Sequence, residues 1–259
     1  MSQNITKKEN KMKDLSLFLI SLVLLLSAWE WSVNSGYLNI IFFSKPSSIL
    51  HEFLNLLKSG ELINHLTITL QEVFIGFFIG IFAGIGMGLL FRWKQTLAKI
   101  FLPYIQFLYS TPYVAIVPLL MLWVGIDLFF KIASVVIAVL PIMTIQTYEG
   151  TRTVEKDFVN LLRSMKFSNF QIVKKVALPS SLFFIFTGMR LSFGRAVVIA
   201  IVAEFQASTA GIGYLIQYSA QTFDTTKLLV GVFIISLISV LIIRLLVALE
   251  KYIIKWHPS

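Results

Sequence analysis

The chain has 259 residues, of which 57% are hydrophobic and 14% charged, and its mean hydropathy is +0.82. Soluble domains average about 25% charged residues, so this composition excludes a single water-soluble domain and, with its long apolar runs, a disordered chain. The chain has no cysteine, which excludes disulfides, thiolate nucleophiles and iron–sulfur ligation. His51, His65 and His257 lie too far apart for a metal-binding motif, so we expect neither metal nor cofactor.

Six stretches are long and apolar enough to cross a membrane, which takes about 20 residues of helix. They cover residues 15–33, 66–91, 100–124, 129–148, 181–203 and 228–249. The third is the least regular, because Pro103, Pro112 and Pro118 are expected to interrupt it. We therefore predict an all-α integral membrane protein with a six-span domain at residues 15–249, between tails at 1–14 and 250–259.

The placement of lysine and arginine predicts the orientation of these spans, because cytoplasmic loops carry the excess of positive charge. With the N-terminus inside, fifteen of these residues fall on the cytoplasmic side and four on the other. The four are Lys45, Lys58, Lys131 and Lys227. Both ends are therefore expected in the cytoplasm, and this topology accounts for the net charge of +9 without a nucleic-acid partner.

Two local patterns predict packing outside the long inner loop. A short surface helix is expected from Pro46 to Gly60, since one of its faces is apolar; that face comprises Ile49, Leu50, Phe53, Leu56 and Leu57. On the second span a glycine recurs every four residues, at positions 76, 80, 84 and 88. Small residues at this spacing let another helix approach closely, and we favour a helix of the same chain over one of a second copy.

The inner loop at residues 149–179 predicts a helix–turn–helix. Its first half carries one apolar stripe, with Thr153 as the expected N-cap and Glu155 and Asp157 in the first turn; the stripe comprises Val154, Phe158, Leu161, Leu162 and Met165. Ser168 and Gln171 form a capping box for a second helix, which Pro179 is expected to end. The stripe either packs back on the chain's own span ends or binds a soluble partner.

The end of this loop resembles the signature of binding-protein-dependent ABC transporter permeases, which reads E-A-A, three residues, glycine, nine residues, I-x-L-P. Val176 to Pro179 (V-A-L-P) matches the end, the glycine falls at Lys166, and Asn160 to Leu162 (N-L-L) replaces E-A-A. A lysine costs about 1–2 kcal/mol where the backbone is left-handed, so we expect this turn to differ from the family's.

Further segments resemble the nitrate, sulfonate and taurine branch of that family in order and spacing. They are the run from Pro118 to Gly125, Arg190 with Gly194 and Arg195, Ala203 with Glu204, and the run from Gly211 to Leu215. With the Pro46 segment, the resemblance extends over roughly residues 15–256. It implies the type I ABC importer permease fold in a bacterial cell membrane.

The resemblance also implies partners. They are a second permease copy, two ABC ATPase subunits and an extracytoplasmic solute-binding protein. The chain is not expected to be an enzyme itself, because it has no G-x-x-x-x-G-K-[ST] loop for ATP. The ATPase-coupling residues would be Phe158, Val159, Asn160, Leu161, Leu162, Arg163, Met165, Lys166, Phe167, Ser168 and Phe170.

Polar and charged residues inside the spans are the candidates for the translocation pathway, because such residues normally face protein or a watery cavity. They are Gln106, Tyr109, Ser110, Thr111, Tyr113, Gln146, Thr147, Arg190, Arg195 and Glu204. The two arginines could instead extend to the membrane surface or pair with the inner loop. Glu204 is expected near the outer end, and is taken as the sole acidic residue of the inner spans.

The predicted function is a permease subunit that passes a small solute and is driven by a partner's ATP hydrolysis. Sulfonates, taurine, nitrate and pyrimidine vitamin precursors are the candidate solutes that the resemblance implies. A secondary transporter driven by an ion gradient is the alternative, and it would need acidic ion ligands in the membrane. An intramembrane enzyme would need paired aspartates, a Ser/His pair or a metal set, none of which the sequence contains at matching depths.

Overall fold

A computed structural model of the chain describes residues 2–154 and 156–254. The regular secondary structure of this part is helical. In chain order the helices are α1 Ser2–Asn34, α2 Ile40–Phe43, α3 Pro46–Lys58, α4 Glu61–Trp93, α5 Gln95–Ser110, α6 Tyr113–Val124, α7 Leu128–Arg152, α8 Lys156–Ser164, α9 Asn169–Ile172, α10 Leu178–Ala207, α11 Ile212–Gln221 and α12 Thr225–Ile253. A π-helical turn, Val173–Ala177, joins α9 to α10.

Five helical stretches in the described residues are long and apolar enough to cross a membrane, and a bent pair of helices makes a sixth if the two helices form one span. The five are Ser16–Asn34, Glu61–Trp93, Leu128–Arg152, Asn169–Ala207 and Thr225–Ile253. The pair is α5 with α6, which meet at an angle of 104°. The all-α class is thereby confirmed, and five of the six predicted stretches are single helices of spanning length, while the third is this bent pair.

Only one of the three prolines in the third stretch breaks it. Pro112 stands between α5 and α6, and Thr111 before it is extended, as proline requires of its predecessor. Pro103 lies inside α5 and Pro118 inside α6, so the prediction that they also interrupt the helix is wrong. Helices in membranes tolerate proline because neighbouring groups satisfy the freed carbonyl.

The described residues form two compact units, the first made of residues 2–62 with 215–232. Its surface helix α3 begins at Pro46 as predicted, and Gly60 follows its end with a φ of +78°. The carboxylate of Glu30 accepts hydrogen bonds from the backbone N–H and the hydroxyl of Ser47, at 3.0 and 2.7 Å. This carboxylate therefore satisfies a donor in the first turn of α3, where helix N–H groups lack partners.

The second unit, made of the described residues within 63–214 and 233–254, contains the glycine stripe of α4. A Cβ atom added at Gly76, Gly80, Gly84 or Gly88 would lie 2.5–2.7 Å from the Cβ atom of a residue on α7, which is closer than side chains pack. The facing residues are Val135, Val139, Met143 and Thr147, again four apart. The predicted packing within the chain is confirmed, and the two helices run parallel because both sets of numbers rise together.

The second helix of the inner loop does not end at Pro179, as the sequence predicted. The chain continues from α9 through the π turn into α10, and Pro179 lies in the first turn of α10. The N–H of Leu178 donates to the carbonyl of Val173, five residues back. This wider turn accommodates a proline, whose ring would clash with the carbonyl four residues back in a regular α-helix.

Candidate functional site

Three of the five residues of the apolar stripe, together with Phe170 of α9, lie on the surface of the described chain, whereas Val154 and Leu162 are half-buried. The exposed fractions are 47% for Phe158, 56% for Leu161, 62% for Met165 and 66% for Phe170. The opposite face of α8 borders a cavity of about 230 Å³ between α8 and the ends of α4, α5 and α9. The chain therefore leaves one apolar face of this loop uncovered, which favours binding of a partner over packing on its own span ends.

The turn after α8 has the hydrogen bonds of a Schellman motif. The N–H of Phe167 donates to the carbonyl of Leu162, and the N–H of Lys166 to that of Arg163, at 3.1 and 2.9 Å. Lys166 itself has a φ of +63°, the left-handed conformation that usually favours glycine. The hydrogen bonds of the motif hold Lys166 in that conformation, and the difference from the family's turn stays a prediction.

The two caps predicted for this loop have different outcomes. The capping box is confirmed, since Ser168 N–H donates to Gln171 Oε1 at 2.8 Å and Gln171 N–H to Ser168 Oγ at 3.2 Å. Thr153 does not cap α8: it is the C-cap of α7, and its hydroxyl donates to the carbonyl of Gly150. Glu155, predicted in the first turn of α8, lies outside the described residues.

Five of the predicted pathway residues meet at one cavity. The cavity has a volume of about 430 Å³ and lies between the α5–α6 bend and α10; it is lined by Tyr109, Ser110, Thr111, Pro112, Tyr113, Val114, Gly194, Arg195, Val198 and Ile199. The guanidinium of Arg195 lies 4.6 Å from the ring centre of Tyr109 and donates to the carbonyl of the same residue at 3.4 Å. The aromatic face holds this cation beside the cavity without neutralising it.

The other predicted pathway residues lie elsewhere. Gln106 is exposed on α5 and does not line this cavity. Gln146 and Thr147 face glycines, since an added Cβ would meet Gln146 at Gly188 and Thr147 at Gly88. They contribute to helix packing and are absent from the lining of the cavity.

Arg190 has a partner that the sequence did not suggest. Its guanidinium forms an ion pair with Glu250 of α12 and donates to the hydroxyl of Thr187 at 3.0 Å. The expected alternatives were a place in the pathway, extension to the membrane surface, or a pair with the inner loop. In the structure this arginine instead connects α10 to α12 through its ion pair, and Glu250 is largely buried in the contact.

Near the C-terminal end of α10 lies a buried polar cluster that the sequence analysis missed. It consists of His65, Thr69 and Glu72 on α4, Lys131 on α7 and Glu204 on α10, and all five are buried. Lys131 Nζ lies 2.8 Å from Glu72 Oε1. Glu72 is a second acidic residue within the spans, so the prediction that Glu204 is the sole one is wrong. Lys131, which the sequence analysis counted only as a charge on the non-cytoplasmic side, lies inside α7. The signal was present, because residues 65, 69 and 72 continue the glycine stripe of α4 toward its start.

Glu204 is bound by the turn that follows α10. Its Oε1 accepts a hydrogen bond from Thr69 Oγ1 at 2.6 Å, and its Oε2 accepts one from the N–H of Gly213. Thr69 Oγ1 in turn accepts from the N–H of Ile212 at 2.8 Å, and His65 Nδ1 accepts from the N–H of Gly211 at 3.0 Å. Glu204 has no exposed surface, so it does not line an open cavity.

Comparison with known proteins agrees with this architecture. Residues 76–255 match the family model described as "Binding-protein-dependent transport system inner membrane component". The putative aliphatic sulfonates transport permease protein SsuC of Bacillus subtilis (strain 168) is 30% identical over 91% of this chain and 85% of its own length. The taurine transport system permease protein TauC of Escherichia coli (strain K12) is 26% identical over 95% of this chain and 91% of its own.

A solved structure resembles the fold over nearly the whole chain. It is a bacterial ABC transporter involved in the import of the acidic polysaccharide alginate, which matches with a TM-score of 0.66. The match covers 93% of this chain and 98% of the other, at 12% sequence identity. At that identity the likeness concerns the fold alone.

Proposed function

Because the chain belongs to the family of inner membrane components of binding-protein-dependent transport systems, we propose that it forms the pathway of an importer driven by a partner ATPase. It is a multi-pass ABC importer permease subunit. In the proposal, both ends of the chain, residues 1–14 and 250–259, lie in the cytoplasm of a bacterial cell. The positive-inside rule supports this orientation, since the loop at 149–179 is rich in lysine and arginine.

The observation that carries the proposal is the uncovered apolar face of α8 and α9. Phe158, Leu161 and Met165 in and just after α8, and Phe170 in α9, are exposed, and α9 begins the continuous helical segment Asn169–Ala207. Apolar side chains exposed beside charged ones are typical of a protein-binding surface. In the proposal, two permease copies associate, and residues 158–170 of each copy bind one ATPase subunit. The motion of that ATPase subunit is passed to α10.

The cavity beside Arg195 supports a pathway for a small solute. Four of its lining residues carry a hydroxyl group, namely Ser110, Thr111 and two tyrosines, and the guanidinium of Arg195 adds a positive charge. Such a lining provides weak hydrogen bonds that allow a polar solute to pass. We propose a small anionic solute such as a sulfonate or taurine-like molecule, delivered by an extracytoplasmic binding protein, with nitrate or a pyrimidine vitamin precursor as the other candidates.

Reconstitution tests this function. Proteoliposomes that hold the permease, its ATPase and its binding protein are expected to take up a labelled alkanesulfonate or taurine only with internal ATP. Arg195→Gln should lower uptake by about tenfold, whereas Arg195→Lys, which keeps the charge, should lower it less. Uptake by the permease alone, or uptake that ignores ATP, would exclude the proposal.

One observation favours the alternative function, a secondary transporter driven by an ion gradient. Two buried acidic residues, Glu72 and Glu204, lie in the spans, and carboxylates are the usual ligands of coupling ions. However, Glu72 is paired with Lys131, and Glu204 accepts from Thr69 and Gly213. An imposed sodium or proton gradient that drives uptake in the absence of ATP would favour the alternative.

A further inference from the structure

The turn at Gly211–Gly213 is held by side chains from two helices. Its three consecutive N–H groups donate to His65, Thr69 and Glu204 respectively. A helix N-terminus ordinarily leaves such donors to water or to its own capping residue. Here the acceptors come from residues of α4 and from Glu204 of α10, so the start of α11 is joined to two helices at one point.

The contact leaves no room for side chains on the turn. A Cβ atom added at Gly213 would lie 2.7 Å from Glu204 Oε2 and 2.8 Å from Glu204 Cβ. Gly211 has a φ of +117°, which L-residues rarely adopt, and it also abuts the Glu204 carboxyl group. The glycines therefore permit the carboxylate and the backbone to meet closely.

Separating the turn from these helices would be unfavourable. Glu204, Thr69 and Ile212 are all fully buried, so a displaced turn would leave a carboxylate and several N–H groups without partners. Residues that are held this way move together rather than independently. Glu204 also lies at the end of the continuous helical segment Asn169–Ala207, whose other end begins at the capping box of Ser168.

We propose that Glu204 and Thr69 are positioning residues that fix the Gly211–Gly213 turn to α4 and α10 throughout the transport cycle. A displacement applied at α9 then reaches the turn as a rigid motion of α10. This inference rests on the proposed function, since it assigns the Glu204 contact a part in coupling ATP hydrolysis to solute movement. Glu204 thereby acts through the turn, and it does not touch the solute.

The test compares substitutions of Thr69 that keep or remove its hydroxyl. In proteoliposomes with the ATPase and binding protein, Thr69→Val should lower the solute transported per ATP hydrolysed by about tenfold. ATP hydrolysis and association with the ATPase should persist, and Thr69→Ser should restore the ratio. A ratio unchanged in Thr69→Val would overturn the inference.

Thr67→Val is the matched control on the same helix. Thr67 is exposed, and its hydroxyl donates to the carbonyl of Ile63 at 2.7 Å, so the same atoms are removed away from the cluster. The control should keep the wild-type ratio. A wild-type complex that shows no ATP-dependent uptake would refute the proposed function itself, which is a different outcome from an unchanged Thr69→Val ratio.

Hydrogen exchange gives a second measurement that needs no variant. Amide N–H groups bound to buried acceptors exchange slowly. In the wild-type complex, a peptide containing Gly211 to Gly213 should therefore stay protected both without nucleotide and with ATP bound. Rapid exchange of this peptide in either state would overturn the inference, because it would show that the turn detaches during the cycle.

Discussion

The two ends of the helical segment Asn169–Ala207 differ in which side chains are buried: apolar residues are exposed near its start, and ionisable residues are buried near its end. At one end, the loop of α8 and α9 exposes Phe158 and Met165, which are apolar. At the other end, Glu204 and Lys131 are ionisable and buried. Each arrangement is unfavourable unless a partner is present, because exposed apolar surface and buried charge both cost free energy.

The location of the partner distinguishes the two ends. The buried charges have theirs inside the chain, since Glu72 pairs with Lys131 and Glu204 accepts from Thr69. The described residues leave the apolar face exposed, and in the proposed function its partner is the ATPase. One end of the segment is thus held by contacts within the chain, and the other end leaves an apolar face that we propose binds the ATPase.

The largest expected effect comes from a charge on the exposed face. Phe158→Asp or Leu162→Asp should reduce association with the ATPase and lower transport by about 30-fold or more, because a carboxylate would be buried in the interface. Insertion into the membrane and the yield of the permease should not change. Copurification of the tagged permease with its ATPase measures the effect.

Lys174→Asp is the control for this prediction. Lys174 is exposed in the same loop but lies outside residues 158–170, and it should retain association with the ATPase. If Phe158→Asp still copurifies with the ATPase and transports solute normally, the difference drawn between the two ends is wrong.

An intermediate effect is expected from the glycine stripe beside the buried cluster. Gly84→Ala should destabilise the protein by about 1–3 kcal/mol, because the new Cβ would lie 2.5 Å from Met143 Cβ and 3.0 Å from the carbonyl of Leu140. Thermal unfolding of the detergent-solubilised protein, followed by loss of monodisperse material, measures the change.

Gly86→Ala provides a matched comparison on α4. No atom lies within 4 Å of a Cβ added at Gly86, so the substitution should be neutral or slightly stabilising in a helix. Equal unfolding temperatures for the Gly84 and Gly86 variants would refute the close packing of α4 against α7.

The smallest effect is expected at the turn after α8. Lys166→Gly should stabilise the loop by about 1 kcal/mol, because the left-handed backbone at φ +63° is unfavourable for a lysine. Slower hydrogen exchange of residues 158–167 is the measurement. Lys166→Ala, which keeps the Cβ atom, should give no comparable protection, and faster exchange in Lys166→Gly would contradict the assigned turn.

Local features of this protein could be predicted from the sequence with success. The capping box at Ser168 depends on residues three apart, and the glycine stripe from Gly76 to Gly88 on a repeat of four. Both involve groups that helix geometry places side by side, so spacing suffices to find them. The prediction at Pro179 failed because a π turn absorbed the proline, an adjustment that no local preference indicates.

Contacts between distant residues were not predictable in the same way. Tyr109 and Arg195 were both named as candidates, but only the fold shows that the guanidinium lies over the ring. Thr147 was also named, but it is fully buried, with its Cβ and Cγ2 atoms against Gly88, and it does not line the cavity. The residue types indicated polarity inside the membrane, whereas the direction of each side chain depends on which helix packs beside it.

The sequence by itself determined that this chain crosses a membrane several times as helices, since hydrocarbon requires apolar side chains and internally bonded backbone over about 20 residues. It also determined the family, because several motifs occur in the order and at the spacing that are typical of that family. Only the tertiary structure decided that Glu204 meets Thr69, 135 residues away, and that Lys131 meets Glu72, 59 residues away. Such pairs form because buried charge must find a partner, and the fold determines which partner lies within reach.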